Sequence, residues 1–296
     1  MTIKFKFNLT GLVLLAVCTT GFSLDVKPHQ GREGYSFFGA GFDILDYEEN
    51  TTPIIAGKSI DVETDSALNF TQQSGAYVAI DDDWGFYLVT SSTLGESSSA
   101  EERLIDEVRV RTNKVSFERQ RLGFLASHRM SESGFLLFGA QYGKNEFKRF
   151  AAKLTPQAAD YGIDETTFSA GTVSENVWDL SLVAGYESST IFNSRQPGWR
   201  HQLQLTGGIP LYTNITNTDV NEGSSFSESF NGFQLRLNWV YGYQFNDDMI
   251  LAFSFDMGYS QRDAISRDFI DDSGATEFPE SNLLYIYPSV LALWSF

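Results

Sequence analysis

The chain has 296 residues, 15% of them aromatic and 20% charged, and a formal net charge of −17. That acidic balance disfavours a nucleic-acid partner, because phosphate recognition needs a basic surface. The single cysteine, Cys18, lies near the N-terminus, so the remainder of the chain has neither a disulfide nor a thiolate metal site.

Lys4 and Lys6 precede an apolar run at 12–17, followed by small and polar residues through Ser23. This is the pattern of a secretory signal peptide over 1–23, cut after Ser23 with Gly21 at the minus-three position. The run is far shorter than the roughly 18–20 residues that a membrane-spanning helix needs. Lipidation at Cys18 is disfavoured by Val17 immediately before it. Residues 24–33 then read as a short polar lead in the periplasm, and 34–296 as a single domain.

Period-two alternation marks strands along that domain. Ser36, Phe38, Ala40, Phe42 and Ile44 form one face of a first strand, with Gly39, Gly41 and Asp43 opposite. Leu68 to Ile80 marks a second, and Trp84, Phe86 and Leu88 a third. A fourth spans 110–128, where Glu118 to Arg121 breaks the alternation and points to a bulge or a shifted register. Residues 135–149, 178–186, 199–211, 233–245, 249–259 and 282–296 add six more. In 233–245, for example, Phe233, Leu235, Leu237, Trp239, Tyr241, Tyr243 and Phe245 share one face.

The connections alternate in kind. Residues 81–83, 130–134 and 246–248 are tight turns, with 189–198 somewhat longer. The links near 48–65, 97–109, 150–174, 213–229 and 264–280 are long, polar and acidic, and include Glu48, Glu49, Glu101, Glu102, Asp160 and Asp268. An even strand count with alternating short and long links predicts an all-β, transmembrane, up-and-down antiparallel β-barrel of about ten strands, with twelve as the alternative. A soluble sandwich would not leave Trp, Phe and Tyr on a solvent face.

Strand parity then names the residues expected to line the lumen: Asp43, Gln141, Asp179, Glu187, Arg200, Gln202, Gln204, Gln234, Arg236, Asn238, Asp256 and Arg262. Arg236 and Asp256 fall at similar heights on adjacent strands, as an ion pair requires. Ten strands lie near the limit at which side chains fill the interior, so these groups either satisfy one another or line a narrow pore. The histidines, His29, His128 and His201, all map to the short-turn, periplasmic end. The acidic rim therefore has no imidazole to act as base, and no catalytic residue, metal ligand or cofactor is expected.

The last strand closes on Trp294 and Phe296, with Phe296, Trp294, Ala292 and Val290 on one face. With the signal segment and ten alternating strands, this ending resembles the Gram-negative outer-membrane β-barrel superfamily. Within it the chain looks most like small porin-like and solitary autotransporter-like barrels of marine γ-proteobacteria. Autotransporter translocators usually have twelve strands, a pore helix and a passenger, and neither helix nor passenger is visible here. The likeness to ten-stranded omptin proteases is architectural only.

The resemblance implies residence in the outer membrane, contact with lipid and lipopolysaccharide, and Trp294 and Phe296 as an assembly signal read by the barrel-insertion machinery. The expected function is non-enzymatic, a narrow porin-like channel or a surface structural protein. The alternative is a surface-binding barrel that uses its acidic extracellular links.

Overall fold

The computed structural model describes residues 34–51, 59–95, 97–164, 171–218, 225–268 and 275–296. The expected signal segment 1–23, the lead 24–33 and His29 lie outside the described residues. The strands are β1 (Gly34–Thr51), β2 (Ile60–Thr64), β3 (Ala67–Ala79), β4 (Trp84–Gly95), β5 (Ser98–Ile105), β6 (Val108–Arg129), β7 (Gly134–Leu154), β8 (Val173–Ser189), β9 (Gly198–Asn217), β10 (Ser225–Glu228), β11 (Phe233–Gln244), β12 (Met249–Arg262), β13 (Ile265–Asp268), β14 (Ala275–Phe278) and β15 (Glu280–Ser295). One 3-10 turn, Pro156–Tyr161, follows β7.

Among the described residues ten strands form a closed antiparallel ring: β1, β3, β4, β6, β7, β8, β9, β11, β12 and β15. The seam pairs β15 with β1, from Tyr35 opposite Ser295 to Asn50 opposite Glu280. The fold is thus a ten-stranded transmembrane β-barrel rather than the twelve-stranded alternative.

Side-chain alternation produces the wall. Phe38, Phe42, Phe124, Leu182, Ile209 and Phe253 are among the large apolar residues exposed on its outside, a face that only lipid could cover favourably. Aromatic rings edge this band at both ends. Near the short turns, Trp199 stacks on Tyr241 with ring centroids 4.9 Å apart. Toward the long connections, Trp178 lies 5.1 Å from Tyr212 and 6.2 Å from Tyr142. From Trp178 to Tyr186, strand rise and tilt give a band roughly 20 Å tall, of the order expected for an outer-membrane barrel.

The links expected to be long and polar are in large part wall. β1 runs on to Thr51, β7 to Leu154 and β9 to Asn217. Where β3 and β4 stop, β2 and β5 bridge β1 to β6. The period-two reading entered this collar on β6 and β7 but missed its parts on β1, β2, β5 and β9, because the collar stands in water: even on β7, Lys144, Glu146 and Lys148 take the outward positions that apolar residues hold lower down. Two of the acids assigned to links, Glu49 and Glu101, consequently face inward and are buried.

The expected irregularity at Glu118 to Arg121 lies on one edge of β6 alone: pairing with β4 ends at Gln120 opposite Ser92 and resumes with β5 at Ser116 opposite Ser98, a shift of two residues, while the edge toward β7 is regular there. On that edge Glu118 pairs with Glu146, Arg119 with Asn145, Gln120 with Lys144 and Arg121 with Gly143 in unbroken register, and the shift lies between Thr112 and Lys114. The alternation persists in space, with Arg119 and Arg121 inside. It is invisible in hydropathy because both faces are polar there.

The interior holds two apolar clusters. One, at the short-turn end, includes Tyr35, Tyr77, Tyr87, Leu137, Ile250 and Leu293, and is plugged by Ile191 and Phe192 from the link between β8 and β9. The other, at the opposite end, includes Tyr47, Phe117, Phe147, Ile215, Phe226, Phe278 and Leu283. Polar layers accompany both clusters and lie between them.

Candidate functional site

The lumen is built as stacked layers. At the short-turn end, Glu187 on β8 accepts hydrogen bonds from the Tyr87 hydroxyl at 2.7 Å and from Gln204 Nε2 at 2.8 Å. Gln202 Nε2 reaches the hydroxyls of Tyr35 and Tyr87 at 3.2 and 3.1 Å. Arg200 donates from Nε to Gln244 at 2.8 Å and from Nη2 to the Gln196 carbonyl at 2.6 Å, which ties the β8–β9 link to the wall.

The middle layer is ionic and aromatic. Arg119 on β6 pairs with Asp43 on β1 at 2.6 Å, with side chains only 4% and 0% exposed. Arg236 and Asp256 form a bidentate pair at 2.9 and 2.8 Å across β11 and β12. Between these pairs stands Tyr285. The guanidinium carbons of Arg119 and Arg121 lie 3.7 and 4.3 Å from its ring centre, close enough for cation–π attraction. Arg121 also donates to the Tyr285 hydroxyl. Gly258 makes this possible, because a Cβ there would lie 2.2 Å from the Tyr285 ring. Gln73 on β3 donates to Ser289 on β15 at 2.9 Å, and Asn238 to Ser254 at 3.4 Å.

The outer layer centres on Arg149 of β7. Its Nη2 bonds Glu49 of β1, its Nε bonds both oxygens of Glu101 of β5 at 2.9 and 3.0 Å, and its Nη1 reaches Glu175 of β8 at 3.4 Å. Tyr47, Asn113 and Asn217 donate to the same three carboxylates, and Arg262 Nη1 stands 3.9 Å from Glu175. One guanidinium therefore braces four strands across the barrel. Removing one partner of such a buried pair costs about 3–5 kcal/mol, because the charge left behind has no water to replace it.

Between the middle and outer layers lies a cavity of about 70 Å³. Tyr47, Phe147, Val177 and Leu283 form its apolar walls, while Arg121, Gln141, Asp179, Gln234 and Arg262 supply polar groups. Gln141 Nε2 donates to Gln234 Oε1 at 3.0 Å across it.

The residues singled out by parity thus fall in different layers. Glu187, Arg200, Gln202 and Gln204 belong to the short-turn end, and Asp43, Arg236, Asn238 and Asp256 to the middle. Gln141, Asp179, Gln234 and Arg262 line the cavity. Parity alone did not single out Arg119, Arg121, Tyr285, Glu49, Glu101, Arg149 or Glu175, which carry much of the ionic bracing. Extending the inward parity of Asp43 through Leu45 and Tyr47 reaches Glu49, and that of Gln141 reaches Arg149. Trp294 and Phe296 lie outward and exposed on the closing strand or just past it. His128 and His201 sit at the short-turn end, against Trp84 at 4.4 Å between ring centres and beside Thr190 respectively.

No protein-family model matches the chain, and no curated protein matches it in sequence. Among solved structures, the outer membrane protease OmpT from Escherichia coli matches with a TM-score of 0.67 at 8% identity, over 93% of this chain and 99% of that one. The outer membrane protein OprG from Pseudomonas aeruginosa matches with a TM-score of 0.36 at 11% identity, over 92% and 99%. The translocator domain of the autotransporter NalP from Neisseria meningitidis matches with a TM-score of 0.38 at 10% identity, over 97% and 95%. At such identities a likeness speaks for fold alone, and of these three only OmpT superposes closely enough to carry an argument. The chain has the fold of the Gram-negative outer-membrane β-barrels.

Proposed function

We propose that this protein is a non-enzymatic barrel of the Gram-negative outer membrane, closed at rest, that acts as a surface structural protein holding a rigid β-collar outside the bilayer. The observation that carries this reading is the Arg149 brace, which ties β7 to Glu49 of β1, Glu101 of β5 and Glu175 of the neighbouring β8. A barrel of ten strands leaves little room beyond its own side chains, and here those side chains bond to one another in every layer. The placement of His128 and His201 at the short-turn end supports a non-enzymatic role, since the three buried carboxylates at the other end, Glu49, Glu101 and Glu175, are engaged by Arg149 rather than by an imidazole.

In this reading residues 1–23 are the export signal and 24–33 a periplasmic lead. Trp294 and Phe296 serve the assembly machinery, and the aromatic girdles meet lipid and lipopolysaccharide. Planar-bilayer recording on refolded, heat-modifiable protein is the test. The expected result is a silent bilayer. Discrete conductance steps from the intact barrel would overturn the closed-scaffold reading in favour of a narrow channel.

A further inference from the structure

The cavity between the middle and outer layers has features that a water-filled void does not require. Arg121, Gly143 and Asp179 stand in one row on β6, β7 and β8, since Gly143 is the register partner of both. Each lines the cavity. Arg121 is held by the Tyr285 hydroxyl, and Asp179 accepts from the Ser181 hydroxyl at 2.7 Å. Neither has an ion-pair partner among the described residues. A cation and an anion thus flank a position that has no side chain. A Cβ at Gly143 would lie 2.6 Å from Asp179 Oδ2, so glycine keeps this notch open.

Three further polar atoms on the cavity lining lack hydrogen-bond partners among the described residues: Asn231 Oδ1, Gln234 Nε2 and Arg262 Nε. Asn231 is 4% exposed and Arg262 9%. Buried polar groups in folded proteins are nearly always satisfied, so several orphans around one cavity point to an occupant. The adjoining wall is also interrupted. The β9–β11 ladder ends at Gly208 opposite Gln234, and pairing resumes only at Thr213 opposite Glu228. Between them Pro210 has no N–H to give, and Phe230 and Gly232 take positive φ values of 58° and 90°.

We propose that this cavity binds a small zwitterion, a compact molecule carrying one carboxylate and one ammonium group. Its carboxylate would lie against Arg121, with Arg262 and Gln234 as further donors. Its ammonium would lie against Asp179 and Asn231, with the body of the molecule over Gly143. A volume of about 70 Å³ has room for on the order of five to seven water-sized groups, the size of a short amino acid.

The test uses full-length refolded barrel in detergent, titrated with β-alanine and, separately, with propionate and propylamine, and read by calorimetry and saturation-transfer NMR. β-Alanine is expected to bind, with each singly charged analogue at least tenfold weaker. Asp179→Asn and Gly143→Ala are each expected to weaken β-alanine at least tenfold while the barrel remains heat-modifiable. Arg121→Gln gives a third arm if it folds. Propionate binding as tightly as β-alanine would overturn the proposal in favour of a simple anion site. Absence of β-alanine binding at millimolar concentration would reduce the cavity to a water-filled one. Binding is read here without conductance, so a conducting barrel would remove the closed-scaffold reading and leave this one standing.

Discussion

The two ends of the lumen are closed by different chemistry. At the short-turn end, the buried Glu187 is held by neutral donors, the Tyr87 hydroxyl and the Gln204 amide, with no ion-pair partner among the described residues. At the collar end, Arg149 gathers three carboxylates from three other strands. At the short-turn end the wall is pressed on by lipid and filled inside by hydroxyls and amides, and ion pairs begin only in the middle layer, with Arg119–Asp43 and Arg236–Asp256. The collar has water on its outer face, and there the cross-strand ties are ionic.

Arg149→Met attacks the collar side of this contrast and should have the largest effect. It strands Glu49, Glu101 and Glu175 together, and a loss of about 3–5 kcal/mol is expected in urea unfolding of the refolded barrel. A loss below that of the tyrosine variant described below would break the comparison. The outer face supplies a paired test. Leu182→Arg places a charge in the lipid band and should cost about 2–4 kcal/mol, whereas Asn176→Arg, six residues up the same strand and above the aromatic girdle, should cost about 0–1 kcal/mol. Equal costs would mean that the collar is not in water.

Tyr87→Phe, at the opposite end, removes one donor to Glu187 and leaves a buried acceptor short, for about 1–3 kcal/mol by the same unfolding measurement. Least of all, Glu102→Gln breaks the pair with Arg109, which is only 2.7 Å long but 54% and 42% exposed. A change within about 1 kcal/mol is expected, and it should vanish in high salt. These last two variants sharpen the contrast by separating buried ties from exposed ones at matched distance.

Much of the barrel was legible because lipid imposes an apolar requirement on every second residue. Phe233 to Phe245 and Met249 to Tyr259 reveal themselves that way, and their register follows from the three residues between them. Arg236 and Asp256 could be paired by counting across that turn. The collar was legible only in part: the strands read over 110–128 and 135–149 enter it, yet Lys144, Glu146 and Arg149 look alike in hydropathy although the first two face water and the third is buried. Glu101 was harder still. It lies on β5, whose position beside β6 follows from a hairpin around Asp106 and Glu107 with φ of 49° and 66°, a conformation that no glycine or proline announces. The cavity depends on side chains from β1, β6, β7, β8, β9, β11, β12 and β15 converging in space; parity marked Gln141, Asp179, Gln234 and Arg262 as inward, but not that they meet around one void.

Tyr285 has a consequence for how the molecule is closed. It belongs to β15, yet its ring rests beneath Arg119 and Arg121 of β6, more than 160 positions earlier. Tyr287 of the same strand donates to the Thr71 carbonyl at 3.0 Å, and Ser289 accepts from Gln73. Without that strand, the guanidiniums of the middle layer would lack their aromatic platform and β3 would lack its ties over β1 to β15. Seam and interior thus share one strand, and a barrel in which β15 is displaced from β1 would be both open at the side and loosely packed within.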